Sequence, residues 1–332
     1  MLPIVDLPFL AHQLAHLRRH GVTDVTFACG FLPQQIIERF GDGADVGLAL
    51  HYVIEPEPLD TGGAVGFAAR TIGEQRLLVC NGDVLTGLDL GELLAFHEAA
   101  GAVATIALTP VDDPSRYGLV RTEADGRVLN FLEKPRPEEI DTNMINAGTY
   151  VLEPAVIAAI PREGRCNIER EIFPTLVDKG LFARASDDYW KDIGTFPSYL
   201  AANIDMLNGR VVGAGSLSGG NTAAATMIES SASVSTDASV HAPCFIGAGV
   251  RVAAGAVIGP DAVLCAGARV EAGGRVARSV VLERAVIGRD AQVIDSIVGE
   301  NATIEARCSV SDGSVIAPGG QVVQPVTRGV AR

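Results

Sequence analysis

From position 234 onward an aliphatic residue returns at every sixth place: Val234, Val240, Ile246, Val252, Ile258, Leu264, Val270 and Val276, then after one five-residue step Val281, Ile287 and Val293. A second five-residue step leads to Val298, Ile304, Val310, Ile316 and Val322. Glycine and other small residues fill the intervals, as in Ile246-Gly-Ala-Gly and Ile258-Gly-Pro-Asp. An amphipathic helix repeats at about 3.6 residues and a half-buried strand at about 2, so neither accounts for this spacing. A six-residue period suits a flat-sided coil in which each hexad supplies one short strand and one corner. Three hexads then close a triangular turn, and the inward aliphatic residues stack into a column. Residues 232–325 are therefore expected to form a left-handed parallel β-helix of about five coils.

The residues before the repeat read differently. Helical and strand-like segments alternate: a helix at Phe9–His20, a strand at Asp24–Cys29, a helix at Pro33–Phe40, a strand at Leu48–Ile54, a helix at Ala64–Arg70, and a strand at Leu77–Cys80. The alternation resumes with a helix at Leu90–Ala100 and a strand at Val103–Leu108. Such alternation predicts an α/β fold with a doubly wound, Rossmann-like, parallel sheet over residues 1–207. Residues 208–231, rich in Gly, Ala and Ser with no strong period, read as a linker with room for one strand.

Within this domain Leu77-Leu78-Val79-Cys80 runs into Asn81-Gly82-Asp83, which delivers a carboxylate to the end of an apolar strand. Ligands of open α/β sheets gather beyond the carboxyl ends of their strands, although Asn-Gly-Asp is also good turn sequence. Tyr189-Trp190-Lys191-Asp192-Ile193-Gly194 places a second carboxylate in a similar position.

Composition narrows the functions open to the chain. A formal charge of −14 and the lack of any Lys/Arg cluster argue against a nucleic-acid partner. No apolar run is long enough to span a bilayer and no secretory leader opens the sequence, so a cytoplasmic protein without membrane contact is expected. The six cysteines form no C-x-x-C pair and sit in apolar or small-residue runs, which predicts buried thiols and suits a reducing compartment.

With both halves in view the chain resembles the sugar-1-phosphate nucleotidyltransferases, most closely those that make GDP-mannose. The resemblance rests on Phe40-Gly-Asp-Gly43, Glu55-Pro-Glu-Pro-Leu with Thr61-Gly62-Gly63-Ala64, Asn81-Gly82-Asp83, Phe131-Leu-Glu-Lys-Pro135, Ile145-Asn-Ala-Gly-Thr-Tyr150, Ile168-Glu-Arg-Glu-Ile-Phe-Pro174 and Trp190-Lys-Asp-Ile-Gly194. It implies transfer of a nucleotidyl group from a nucleoside triphosphate to a sugar 1-phosphate, with Asp83 and Asp192 holding Mg²⁺. Lys134 would meet the sugar phosphate, and Gly118, Glu133 and Asn146 would surround the sugar. Glu55, Gly62 and Gly63 would hold the base. A carboxylate accepts from two adjacent donors on guanine but from only one on uracil or thymine, which favours GTP. Each polar residue also has an ordinary reading, Asp192 as a turn acid beside Lys191 and Asn146 as turn chemistry. Asp60 stands where relatives carry glycine.

The resemblance also implies a first strand and a G-x-G-T-R phosphate loop ahead of Pro3, and neither has a counterpart here. Two accounts stay open: a start assigned at an internal Met, or a degenerate binding or regulatory relative. A doubly wound sheet rarely loses a central strand, which favours the first. Glucose-1-phosphate uridylyl-, thymidylyl- or adenylyltransfer is the alternative within the family. An acyltransferase role for the hexad region is disfavoured, because His241 is its one histidine and general base catalysis needs a placed one. The β-helix is instead expected to support a homo-oligomer.

Overall fold

A computed structural model describes residues 2–73, 75–211, 225–328 and 330–331. Two compact units emerge, one of Gln13–Trp190 and one of Leu2–His12 with Lys191–Arg332. The predicted linker falls largely on residues 212–224, outside the described residues.

In chain order the elements are β1 (Pro3–Ile4), β2 (Leu7–Pro8), α1 (Phe9–Arg19), β3 (Asp24–Cys29), α2 (Pro33–Phe40), β4 (Ala49–Ile54), α3 (Asp60–Ile72), β5 (Leu77–Cys80), β6 (Val84–Thr86) and α4 (Leu90–Ala100). They continue with β7 (Ala104–Pro110), β8 (Gly118–Thr122), β9 (Val128–Glu133), β10 (Met144–Leu152), α5 (Pro154–Ala159), α6 (Phe173–Leu176), β11 (Leu181–Ala185), β12 (Trp190–Asp192), α7 (Phe196–Leu207) and β13 (Thr226–Ile228). Pro33 opens α2 where the lost N–H would be unpaired in any case, and Asp89 caps α4 by accepting from the Glu92 N–H.

The sheet of the first unit is mixed rather than parallel throughout. Its order is β11-β7-β10-β8-β9 with β5 also on β10, and β10 runs antiparallel to β5, β7 and β8. The reason lies in the connection: β10 arrives from the β8–β9 hairpin without a crossover helix, so it returns against its neighbours. β10 is also longer than the four residues expected, and an irregularity between Asn146 and Tyr150 splits it. Its first half pairs β7 and β8 and its second half pairs β7 and β5. Among the described residues β3 pairs with β4 alone, in parallel, and β5 with β10 alone. One edge of each is open, and Cys80 on β5 is the exposed cysteine among five buried ones. That corrects the expectation of six buried thiols. Ile106, Tyr150, Leu152, Ile157, Ile168, Phe173 and Leu181 form the main core.

The hexad region follows its period closely. Three parallel sheets of 7, 6 and 6 strands make about six coils against the five expected, because the ladder runs past the predicted repeat at both ends, to β13 and to strands at Val326–Thr327 and Val330–Ala331. Ile246, Leu264, Val281, Val298 and Ile316 stack in one sheet at successive coils. Every aliphatic position from Ile246 to Val322 in the repeat is buried in a single cluster, against which Val234 and Val240 pack at its start. At roughly 1.5–3 kcal/mol for each fully buried side chain this column is the main support of the region. The five-residue steps end at corners where Arg278 (φ 45°) and Asp295 (φ 50°) adopt a left-handed conformation, joined by a two-pronged ion pair at 2.6 Å. In the same unit the opening hairpin is held by Asn203, whose Oδ1 accepts from the Val5 N–H at 2.7 Å, and by Tyr199, whose hydroxyl donates to the Pro3 carbonyl at 2.6 Å.

Candidate functional site

β5 ends at Cys80, and the next three residues turn toward β6. The turn is fixed from two sides. The Asn81 N–H donates to the Gly148 carbonyl at 2.8 Å, and the Gln13 amide donates to the carbonyls of Asn81 (2.8 Å) and Val84 (3.1 Å). Asp83 is exposed at the apex of this clamped turn. Gly148 (φ 73°) is obligatory here, since a Cβ would lie 2.6 Å from the Asn81 amide nitrogen. Neither Gln13 nor Gly148 was singled out from sequence; the signal for Gly148 was its place in Asn-Ala-Gly, and for Gln13 there was none.

The split in β10 carries Asn146 to the same neighbourhood. Its Oδ1 accepts from the Gly148 N–H at 2.9 Å and its Nδ2 donates to the Tyr150 hydroxyl at 2.8 Å. Ile145 pairs with Leu119 on β8, and Gly118 pairs with Glu133 at the end of β9. A Cβ on Gly118 would lie 2.8 Å from Glu133 Oε2 and 2.9 Å from the Phe131 ring, so glycine makes room for the carboxylate. β10 thus brings Asn81, Gly118, Glu133 and Asn146 together.

Lys134 follows, exposed, at φ 51° and directly before Pro135. A proline disfavours helical conformations at the preceding residue, and a left-handed backbone costs a side chain about 1 kcal/mol or more. Its N–H donates to the Tyr117 carbonyl at 3.2 Å, and Tyr117 meets the Trp190 ring edge-on at 5.5 Å. The Trp190 indole in turn donates to the Ala147 carbonyl at 2.9 Å. Strain held in place by neighbours on both sides is a mark of a functional position.

The expected base-binding residues sit apart from an open turn. Helix α3 begins at Asp60, four residues earlier than expected, so Gly62 and Gly63 lie in its first turn and are buried. A Cβ on either would come within 3 Å of the strip Gly164–Cys166, and the Gly63 N–H donates to the Cys166 carbonyl at 2.9 Å. Close helix approach therefore explains this pair. Asp60 takes the conformation glycine favours (φ 59°) and forms an ion pair with Arg165 at 3.1 Å. Glu55 Oε2 accepts from the Leu59 N–H at 3.1 Å and lies 3.4 Å from where a Cβ on Gly30 would stand.

Asp192 belongs to the second unit, whereas the residues above belong to the first. Its Oδ1 accepts from the Gly194 N–H at 2.7 Å. Lys191 pairs with Asp205 at 2.7 Å, so Asp192 is not the acid that holds this lysine. His241 is exposed on the β-helix. Among the described residues no group of three or more His, Cys, Asp or Glu side chains is arranged to hold a metal ion.

The fold and the residues gathered by β10 define a class first: an α/β unit with polar groups beyond its strand ends, in a chain that also carries a hexad β-helix. The Nucleotidyl transferase family model matches residues 1–209, and that of the GMPPB C-terminal domain matches residues 223–327. The chain belongs to the nucleotidyl transferase family. A mannose-1-phosphate guanylyltransferase of Mycobacterium tuberculosis is 39% identical over 212 residues, covering 63% of this chain and 58% of that protein. A probable mannose-1-phosphate guanylyltransferase 2 of Arabidopsis thaliana is 37% identical over 210 residues, covering 60% and 57%. The chain thus spans less than two thirds of the length of the curated relatives it matches. Among solved structures, HddC from Yersinia pseudotuberculosis superposes with a TM-score of 0.54 at 28% identity over 62% of this chain and 88% of that one. A second HddC structure, of the same scores, is complexed with GMP-PN.

Proposed function

We propose that the protein transfers a guanylyl group from GTP to mannose 1-phosphate, giving GDP-mannose and pyrophosphate. The observation that carries this reading is the strained, exposed Lys134 directly after Glu133, at the end of the strand β9 that lies across β8 from the strand of Asn146. A compact ammonium there neutralises a phosphate, while Asn146 and Glu133 supply donor and acceptor to sugar hydroxyls. Glu55, with the first turn of α3 at Gly62 and Gly63 behind it, receives the base. The names of the relatives support guanine and mannose, and the GMP-PN held by HddC supports the base.

Asp83 and Asp192 are each proposed as a ligand to a divalent cation, with Mg²⁺ the choice. Their fit rests on donor chemistry: both offer carboxylate oxygens, the ligands a hard cation takes, and neither is buried. Bound there, Mg²⁺ supplies charge neutralisation to the phosphates. The chain's own residues position the sugar phosphate for in-line attack and hold its hydroxyls. No described helix is long and apolar enough to cross a membrane; the six free thiols support a cytoplasmic setting, and the β-helix supports assembly into a homo-oligomer, which light scattering would reveal.

Pyrophosphate release from a panel of nucleotides and sugar 1-phosphates is the test. GTP with mannose 1-phosphate is expected to be best, and Asp83→Asn to lower the rate by roughly 10²–10³-fold with the fold intact. A preference for UTP or dTTP with glucose 1-phosphate overturns the guanylyl assignment. Binding of mannose 1-phosphate with no turnover on any pair would leave the binding or regulatory relative.

A further inference from the structure

Among the described residues Glu169 is the one buried carboxylate of the first unit that the reading above leaves without a task. It is 8% exposed, and its Oε2 has no hydrogen-bond partner among the described residues. Its Oε1 accepts from the Tyr150 hydroxyl at 3.1 Å. Tyr150 is fully buried, with its ring set edge-on against Phe173 at 5.0 Å. The same hydroxyl accepts from Asn146 Nδ2 at 2.8 Å, and the Asn146 Oδ1 accepts from the Gly148 N–H. A continuous chain of hydrogen bonds therefore runs from a buried acid to the amide placed at the sugar.

The direction of that chain starts at Gly148, whose N–H can only donate and so marks Oδ1 as the acceptor end of Asn146. The nitrogen end then donates to the Tyr150 hydroxyl, whose own proton goes to Glu169 Oε1. One amide N–H and one lone pair of Oδ1 remain for a ligand, in a set order. Burying a carboxylate oxygen without a partner costs free energy and serves the fold poorly. An unpaired buried oxygen beside the sugar-facing amide points to a role beyond packing.

We propose that Glu169, acting through Tyr150, is a positioning residue that orients the Asn146 amide for vicinal hydroxyls of the sugar phosphate. The proposal rests on the reading of Asn146 as a sugar ligand. Burial pushes the Glu169 carboxyl above its ordinary value, and the charges of Glu133 and Asp60 add to this. Tyr150, Glu133 and Asp60 are the titratable groups that act on it or on its partner, and Glu169 in turn adds to the raising of the Cys166 thiol. The exchange of an acceptor-only group for one that also donates would loosen the orientation; its replacement by an apolar group would free the Tyr150 hydroxyl and leave the Gly148 N–H as the remaining hold on the amide.

Calorimetric titration of the full chain with mannose 1-phosphate, and separately with GTP, tests this alongside thermal unfolding. Glu169→Met and Tyr150→Phe are each expected to weaken mannose 1-phosphate binding about tenfold and to leave GTP within twofold. Glu169→Gln, which keeps an acceptor, is expected to restore most of the affinity. Glu169→Met is expected to hold or raise Tm, because the unpaired buried oxygen is gone. If Asn146→Ala weakens sugar-phosphate binding while Tyr150→Phe and Glu169→Met do not, the relay is overturned and the site reading stands. If Asn146→Ala leaves binding unchanged, or the parent chain does not bind mannose 1-phosphate, the site reading falls and the relay with it. A Glu169→Met variant that loses Tm and both affinities together marks a packing residue and also overturns the proposal.

Discussion

In the β-helix the fold rests on a single kind of residue in a single repeated place: aliphatic side chains in one buried column. Its buried polar side chains are the serines of one ladder, Ser279, Ser296 and Ser314, and each hydroxyl donates to a carbonyl two or three residues back. In the α/β unit the buried set includes His97, Thr105, Thr109, Thr149, Tyr150 and Glu169, several of them bonded over long sequence distances. Periodic burial spreads stability over many equivalent contacts. Aperiodic polar burial places individual groups where chemistry is done, at a cost in local stability. The β-helix can be rebuilt from its period; the site cannot.

The contrast breaks most visibly if a charge is placed in the column. Val293 is fully buried and pairs with Val276 and Val310 on the adjoining coils. Val293→Asp leaves an unpaired carboxylate with no path to water, and the expected loss is more than about 4 kcal/mol, or failure of the repeat to fold. Urea unfolding followed by circular dichroism measures it. A variant that unfolds with the parent's midpoint would mean that the column is not the support of this unit.

The same contrast governs how much could be read in advance. Hexad spacing places side chains directly, because an inward residue at each sixth position has one geometric solution; all the interior positions from Ile246 to Val322 fell where the period put them. The ladder runs past the predicted repeat at both ends, at Thr226–Ile228, where the linker had left room for one strand, and at Val326–Thr327 and Val330–Ala331. In the α/β unit the strand of Asp83 and helix Leu90–Ala100 were legible from their apolar runs and the alternation of elements. The antiparallel course of β10 was not, because chain direction depends on how the β8–β9 hairpin returns, which no local spacing encodes. Gly62 and Gly63 were expected at the base, and their place in a helix start packed on Gly164–Cys166 was not legible, since glycine reports a close approach without saying what approaches. The hydrogen bonds of Gln13 and Glu169 depend on partners 68 and 19 residues distant, so their roles had no local signal.

A smaller effect compares one backbone conformation in both units. Lys134 and Arg278 are both left-handed, at φ 51° and 45°. Glycine relieves that strain in the folded chain but adds freedom to the unfolded one, so each change to glycine is expected to alter stability by no more than about 1 kcal/mol. Arg278→Gly also loses the exposed Asp295 pair, worth about 0–1 kcal/mol, and touches no ligand. Lys134→Gly removes the ammonium and is expected to weaken mannose 1-phosphate binding about tenfold with Tm held. Equal affinity in the parent and Lys134→Gly would place the strain outside the site and remove the distinction drawn between the two units.

The smallest effect lies within the α/β unit, where two acids titrate in opposite directions. Glu153 accepts from His97 Nε2 at 3.0 Å and from Arg76 Nε at 2.6 Å, and these hydrogen bonds hold its carboxyl below its ordinary value. A lowered folded pKa adds stability that is present above the unfolded value near 4.3 and disappears as pH falls through the folded value. Glu169 is raised by burial, so its sign is reversed: its contribution is most favourable below about pH 4.3 and declines as pH rises through the folded value. Measured as Tm against pH, Glu153→Gln is expected to fall behind the parent at neutral pH and to draw level in acid. Glu169→Gln is expected to match the parent in acid and to gain on it toward neutrality, by a few degrees at most. Parallel curves for the parent and Glu169→Gln across this range would show that the buried oxygen carries no titration penalty. The acid of the relay would then be as well accommodated as the serines of the β-helix, and the division of labour between the two units would rest on Lys134 alone.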